Sequence, residues 1–487
     1  MDVKGKKVTI VGLARSGVGA ANLLCQLGAI VSVNDLKKPE ALKPFLSRLN
    51  SRIRCELGGH RDYLFEDADL IVVSPGVPMD IPPLKTASDK SIKIIGELEL
   101  AYEIIMNNTL SSTMAPRFLA ITGTNGKSTT TSLLYEMIKA NGFKVVCGGN
   151  IGNALTEEIY KSIAENDSDI YKNDFIVAEV SSFQLESIVE FRPSGAAILN
   201  ITPDHLDRYS SMSSYIDAKC RIFLRQGEGD FIVLNADDLA TNEILLRLRA
   251  QESSGLKIPE IFYFSMKRPV EGIYYDENNK TITLNIPEYK IQNLRVKISA
   301  IPVDFCLRPS SFKIKGVHNI ENAMAASMVA ILSGCNADII SQVLSRFPGL
   351  EHRLEFVREI DGVRFINDSK GTNVGAVLKS LESFTEPVIL IAGGRDKHGD
   401  FDLLRALVKD RVKALILIGE AREKIKEALG ALTRVFMEES LQSAVTRAKS
   451  ISVNGDVVLL SPACASFDMF NDFEDRGRQF KKAVMEL

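Results

Sequence analysis

Short apolar runs that stop at glycine or polar residues recur along the chain and alternate with segments whose apolar positions repeat every three or four residues. The first run, KKVTIVGLARSG, reads as a strand entering a glycine turn; residues 18–27 carry a helical pattern, and VSVND, ending at Asp35, reads as a second strand. That is a βαβ opening. DLIVVSPGVP and IKIIGELEL continue as strands, so residues 1–106 are expected to form a parallel sheet with ligand loops at its strand ends. Polar residues 107–116 read as a linker. A second unit, residues 117–349, opens with the strand FLAI, the loop TGTNGKST and the helical run TSLLYEMIKANG. It repeats strands with polar ends in KVVCGGNIGN, DFIVAEVSSFQLE, AAILNITPDHLDRY and DFIVLNADD. Residues 256–310 turn β-rich, with GIYYDENNKTITL as a hairpin, before the helix NIENAMAASMVAILSG. In residues 350–487 the strands VRFIND, VILIAGG, ALILIGE and DVVLLSPA alternate with helices. The pattern predicts an α/β chain of three domains, each on a mainly parallel doubly wound sheet: Rossmann-like at the N-terminus, a P-loop ATPase domain in the centre, Rossmann-like at the C-terminus.

Composition narrows the class. At 487 residues the length fits about three domains at ~150 residues each. A formal charge of -3, from 59 basic and 62 acidic residues, leaves no basic field for nucleic acid. The seven cysteines stand singly with no C-x-x-C pair, as in reduced, mostly buried thiols of a cytoplasmic protein. The N-terminal apolar run breaks at Gly12, too early for a signal segment, and no stretch reaches the ~20 residues of a membrane span.

Candidate chemistry collects at the strand ends. In Gly12-Leu13-Ala14-Arg15-Ser16-Gly17 the middle glycine of G-x-G-x-x-G is Ala14, whose Cβ hinders a dinucleotide pyrophosphate and leaves another nucleotide as the alternative. The loop formed by Gly123, Thr124, Asn125, Gly126, Lys127, Ser128 and Thr129 lies between a strand and a helix, where backbone N–H groups and a positive helix end face an anion. Lys127 would reach the outer phosphates, and Ser128 or Thr129 would ligate Mg²⁺. It is two residues shorter between its glycines than the usual G-x-x-x-x-G-K-[ST]. Glu179, after four apolar residues, supplies a carboxylate at a strand end, though alone such an acid also suits a cap or the surface. His205, His318, His352 and His398 fall in polar clusters at element junctions, which suggests one shared active-site face.

These motifs resemble the Mur ligases, the ATP-dependent amide ligases that build the peptidoglycan stem peptide, in which the shortened T-G-[TS]-N-G-K-[ST] loop is the family's own form. The likeness continues in order through SPG at residues 74–76, GGNIG at 148–152, E-x-SSFQLE at 179–186, DHLDRY at 204–209, HN-x-x-NA at 318–323, HRLE at 352–355, NDSKGTN at 367–373 and LSPACASFDMFNDFEDRG at 460–477. The last points to the branch that joins D-glutamate to UDP-N-acetylmuramoyl-L-alanine. The resemblance implies that Lys127 and the loop backbone hold ATP phosphates. Ser128 or Thr129 with Glu179 would hold one Mg²⁺; His205 with Lys219, carbamylated in the family, would hold a second. Asn319, Asn322, Arg353 and Asp368 look like adenosine contacts, which would place ATP in a cleft between the second and third units. Arg15, Ser16, Asp35, Lys37, Ser74, Pro75 and Gly76 would meet the uridine nucleotide. Asn150 and Gln184 would hold the sugar and lactoyl-alanine, and Lys370, Thr372, Lys397, Ser466, Phe467 and Phe473 the D-glutamate. The catalytic set implied is Lys127, Glu179, His205 and Lys219.

The partners expected are these small molecules, with no nucleic acid, no membrane and a monomeric chain. The alternative is a sibling Mur-type or folylpolyglutamate-type ligase with another amino acid or acceptor. A nucleotide-switch protein fits the loop but gives no purpose to NDSKGTN and SPACAS, and a dehydrogenase would need nicotinamide binding at residues 12–17.

Overall fold

The computed structural model describes residues 1–108, 115–164, 168–206, 208–295, 305–314, 316–397 and 399–487. Most of the expected linker, Asp207, His398 and part of the β-rich run lie outside the described residues. Three sheets carry the chain, as the apolar runs predict.

The first has five strands, all parallel, in the spatial order Arg54–Leu57, Ile30–Asp35, Lys7–Val11, Leu70–Val73, Lys93–Gly96. Its central strand sets Ile10 between Val33 and Val72. Both faces are covered, which explains why the strands read as continuous apolar runs. The ELEL that reads as part of a strand is instead the start of the helix Glu97–Asn108. Local alternation suits either period; Leu98, Ala101 and Ile105, all buried, share the helical face that decides it.

The second sheet has nine strands. Its parallel part runs Val145–Gly149, Phe175–Glu179, Arg117–Thr122, Gly195–Ile198, Phe231–Asn235, Glu260–Ser265, Gly272–Asp276. Thr281–Asn285 returns antiparallel, giving the hairpin where it is expected, and Cys306–Leu307 closes the edge. The β-rich run thus extends the central sheet. Arg117–Thr122 lies between Phe175–Glu179 and Gly195–Ile198, so the loop after it shares one sheet edge with Glu179 and with Asn200.

In the third sheet, Val363–Asn367, Val457–Leu460, Val388–Gly393, Val412–Ile418 and Arg434–Met437 are parallel, and Glu355–Ile360 adds an antiparallel edge. Of the two outer strands that escape the sequence reading, the half-exposed Glu355–Ile360 mixes charges with apolar residues, and Arg434–Met437 is only four residues long.

By contact the chain forms two compact units: Met1–Ile201 with Ser211–Pro309 and Asn322–Val343, and Thr202–Ser210 with Ser310–Glu321 and Leu344–Leu487. The first unit holds two sheets joined by a buried seam. Tyr102 meets Phe118 and Phe191 edge to face at 5.2 and 5.5 Å, pairs worth about 0.5–1.5 kcal/mol each beyond their buried area. The Glu99 carboxylate accepts the backbone N–H groups of Val189, Glu190 and Phe191 at 2.8, 2.8 and 2.9 Å. Glu97 accepts both Thr156 N and Oγ1 at 2.8 Å. These bonds let two acids lie buried in an apolar seam, where each would otherwise be costly. All seven cysteines are free thiols; Cys25, Cys220, Cys335 and Cys464 are buried, and Cys306 is exposed. Among the described residues no helix is long and apolar enough to cross a membrane.

Candidate active site

The central strand Arg117–Thr122 delivers the glycine loop to the helix Lys127–Ala140. Gly126, at φ 87°, is that helix's N-cap and supplies no side-chain cap, which leaves the first N–H groups facing the loop. A side chain at Gly126 would also overlap the Asn322 amide oxygen. A Cβ at Gly123 would lie 3.1 Å from Leu199 and 3.3 Å from the Asn200 backbone, so the loop is drawn tight against the neighbouring strand end. Asn200 fastens it: Oδ1 accepts from Asn125 N at 2.8 Å, Nδ2 donates to Asn125 O at 3.0 Å, and its carbonyl accepts from Thr124 N at 2.8 Å. The sequence reading passed over Asn200, although it stands among the polar residues ending an apolar run.

Two lysines converge on this loop. Lys127 Nζ donates to the carbonyls of Gly123 and Thr124, each at 2.9 Å. Lys219 Nζ, 1 % exposed, donates to the same Gly123 carbonyl at 2.9 Å and lies 4.6 Å from the Tyr215 ring centroid. Ser128 and Thr129 are buried, and Thr129 Oγ1 has no hydrogen-bond partner. Glu179 ends the adjacent strand with its Oε1 accepting from Asn150 Nδ2 at 2.7 Å. Gln184 closes a capping box in which its Oε1 accepts from Ser181 N and Oγ, both at 3.0 Å.

In the first sheet the candidate uridine residues sit on the loops after three strands. Asp35 accepts Leu13 N at 2.7 Å and Lys37 N at 2.8 Å, so its carboxylate braces one loop against the next. Ser74 Oγ donates to Gly12 O at 2.7 Å. Arg15, Lys37 and Gly76 are exposed, while Ser16 and Pro75 are half-buried.

The second unit gathers the remaining candidates. Asp368 is a buried hub: Oδ2 accepts from Ser380 and Ser461 hydroxyls at 2.6 and 2.7 Å, and Oδ1 from Leu354 N at 3.3 Å. Burial pushes its pKa up against these bonds. Lys370 Nζ lies 5.0 Å from the Phe473 ring centroid. Asn319 and Ser466 are buried, Thr372 is half-buried, and Lys397 and Phe467 are exposed. His205 stands beside its neighbour Asp204, at 3.7 Å, and Asp204 accepts from Asn373 Nδ2 at 3.3 Å. Arg353 lies near His318, whose pKa burial, with the Arg353 and Lys379 charges, brings down to about 4.

One shared histidine face is not what the described residues show. His352 is buried, bonded through Nδ1 to Asn367 Nδ2 at 2.9 Å and packed on Gly477 and Phe473, so it braces the fold. Glu351, His352 and Glu355 bring three possible metal-ligating atoms together, but Lys481 Nζ bridges both carboxylates. An ammonium already occupies the position between them and offsets one of their two charges. Of the seven non-glycine residues with positive φ among those described, His205, His352, Leu354 and Ala463 fall in motif loops. Such backbone persists only where surrounding structure enforces it.

The Mur ligase middle domain matches residues 121–330, the Mur ligase glutamate ligase domain residues 352–464, and the MurD-like N-terminal domain residues 6–96. The UDP-N-acetylmuramoylalanine–D-glutamate ligase of Citrifermentans bemidjiense is 45% identical over 485 residues, 99% of this chain and 98% of that protein. The chain belongs to the Mur ligase family. The enzyme of the same name from Geotalea uraniireducens is also 45% identical, over 100% of this chain and 99% of its own. A MurF ligase from Thermotoga maritima, solved in complex with ADP, shares the fold at a TM-score of 0.57 and 16% identity, covering 99% of this chain and 96% of that one.

As a Mur ligase site, the loop suits a magnesium nucleotide. Its glycines make a cradle that side chains would fill, and Thr129 offers a buried hydroxyl without a partner. Glu179 provides the hard anionic oxygen that Mg²⁺ selects.

Proposed function

We infer that this Mur ligase joins D-glutamate to UDP-N-acetylmuramoyl-L-alanine at the expense of ATP, in the synthesis of peptidoglycan precursors. The observation that carries this is 45% identity along 99% of the chain with a relative of that named activity. The free thiols suit a reducing cytoplasm.

A carboxylate is a poor acyl donor because its leaving group would be oxide. In the reaction proposed, the L-alanine carboxylate attacks the γ-phosphorus of ATP, releasing ADP and leaving an acyl phosphate; the D-glutamate amine then attacks the acyl carbon and phosphate departs. Lys127 would exchange the carbonyls of Gly123 and Thr124 for phosphate oxygens, carrying its charge to where the two anions meet. Thr129 or Ser128 with Glu179 would hold Mg²⁺, and Lys219, if carbamylated, with His205 a second ion; bound there, Mg²⁺ supplies charge neutralisation and a fixed template for the phosphates. Asn150, already bonded to Glu179, would position that carboxylate while meeting the sugar. His205 is the proposed acceptor of the amine proton. Asn319, Asn322, Arg353 and Asp368 are assigned to the adenosine, directly or by shaping its loops. Arg15, Ser16, Asp35, Lys37 and residues 74–76 are assigned to the uridine nucleotide. The half-buried Lys370, with Thr372, Lys397 and Ser466, offers cations and hydroxyls to the two carboxylates of D-glutamate.

The test is phosphate release by purified protein with MgATP and UDP-N-acetylmuramoyl-L-alanine across a panel of D- and L-amino acids. Release only with D-glutamate, and a product heavier by one glutamyl residue, is expected. Release with a different amino acid overturns the pocket assignment, and steady release with none overturns the ligase reading. Lys127→Ala should abolish turnover.

A further inference from the structure

The C-terminal helix Phe473–Met485 carries an arginine that reaches no solvent. Arg476 is 0 % exposed, and its guanidinium binds two loops of the same unit. Nη2 donates to the Ser369 carbonyl at 2.8 Å, Nε to Ser369 Oγ at 3.0 Å, and Nη1 and Nη2 both to the Cys464 carbonyl at 3.2 Å. Ser369 Oγ passes the connection on, donating to the Phe473 carbonyl at 2.8 Å. A third loop is drawn in by glycine: at Gly394 a Cβ would overlap the Ala465 carbonyl and stand 3.3 Å from Arg476 Nη1. Arg395 and Ala465 then exchange backbone hydrogen bonds at 2.9 Å each way. Ser369 immediately precedes Lys370, Cys464 lies two residues before Ser466, and Gly394 three before Lys397. Every loop assigned to the amino-acid substrate is therefore within one or two bonds of a single guanidinium.

We propose that Arg476 is the positioning residue of the amino-acid pocket, holding the Lys370, Lys397 and Ser466 loops and the Phe473 turn in the geometry that recognises a dicarboxylic amino acid. A planar fork of donors can fix two carbonyls and a hydroxyl at once, which an ammonium on a flexible stem cannot. Among the described residues no carboxylate hydrogen-bonds to it. Burial lowers its pKa to about 10, so it stays cationic at neutral pH. The nearby Asp468 and Asp368 carboxylates offset part of that charge, so Arg476 acts on the pocket chiefly through the loops it ties together. This inference rests on the D-glutamate reading above.

The experiment measures KM for D-glutamate, ATP and the UDP substrate, with kcat and Tm, in wild type and Arg476→Lys. The expected result is a D-glutamate KM raised on the order of tenfold, from loosened pocket geometry, with the other two KM values within about twofold. An unchanged D-glutamate KM, or three KM values rising together as Tm falls, overturns the proposal. Should Arg476→Lys fail to fold, Ser369→Ala removes one Arg476 partner and the tie to Phe473; a D-glutamate KM raised about threefold alone supports the proposal, and no change overturns it. Wild type turning over a different amino acid would instead be a failure of the D-glutamate reading.

Discussion

Replacing Asn200 with alanine separates how the phosphate loop is held from what it holds. The substitution deletes the two side-chain bonds to Asn125, at 2.8 and 3.0 Å, and keeps the bond from Thr124 N to the backbone carbonyl. Neutral hydrogen bonds contribute about 0.5–1.5 kcal/mol each, so the pair is worth about 1–2 kcal/mol once water re-solvates the half-exposed Asn125. If nucleotide binds the loop as ordered here, a loosened loop must be re-ordered on binding, and that energy is taken from affinity. At 1.36 kcal/mol per decade the ATP Kd should rise about 5- to 30-fold. Calorimetric titration with a non-hydrolysable ATP analogue and Mg²⁺ measures it, and the KM for D-glutamate serves as the internal control. Asn200→Asp should bind more weakly still, because it sets a carboxylate against the Asn125 carbonyl and beside an anionic ligand. An unchanged Kd, or equal weakening for nucleotide and D-glutamate, would refute the reasoning.

Other positions give independent tests. Gly126→Ala should lower Tm and weaken ATP, since a left-handed alanine costs about 1–2 kcal/mol and its methyl meets Asn322; Asn322→Ala in the same chain should recover only the steric part of the Tm loss and, as an assigned adenosine contact, none of the ATP affinity. Glu99→Ala strands three backbone N–H groups in the seam and should cost about 2–4 kcal/mol in urea unfolding. By comparison Glu103→Ala, which loses one pair with the exposed Lys93, should cost under about 1 kcal/mol. His318 adds a pH dependence. Its pKa falls from 6.5 to about 4 in the fold, so the folded state favours the neutral ring. The stability it carries is fully present above pH 6.5 and is lost as pH falls from there towards about 4. His318→Gln should flatten that part of the Tm profile, and a profile identical to wild type would count against the shift.

What the sequence makes legible follows from where each residue's role is decided. Strands such as Phe175–Glu179 and Val388–Gly393 are buried on both faces, so their apolar runs announce them locally. The glycine loop is legible for the same reason: its turn, lysine and hydroxyls are contiguous. Glu97 and Glu99 give no such signal, because acids in a seam are tolerable only where Thr156 and the 189–191 backbone supply donors from more than fifty residues away. Asp35 and Asp368 are assigned to ligands from their motifs, and in the fold their carboxylates are engaged by N–H and hydroxyl donors of neighbouring loops. Their substitution should therefore disturb loop geometry as well as any ligand contact. Arg476 is the limiting case. In FEDRGRQFKK it reads as one charge among many on an exposed helix, and only the folding of residues 369 and 464 onto it removes it from water. Motif spacing reveals groups that act through contiguous chain, whereas groups that act by joining distant loops become visible only once those loops meet.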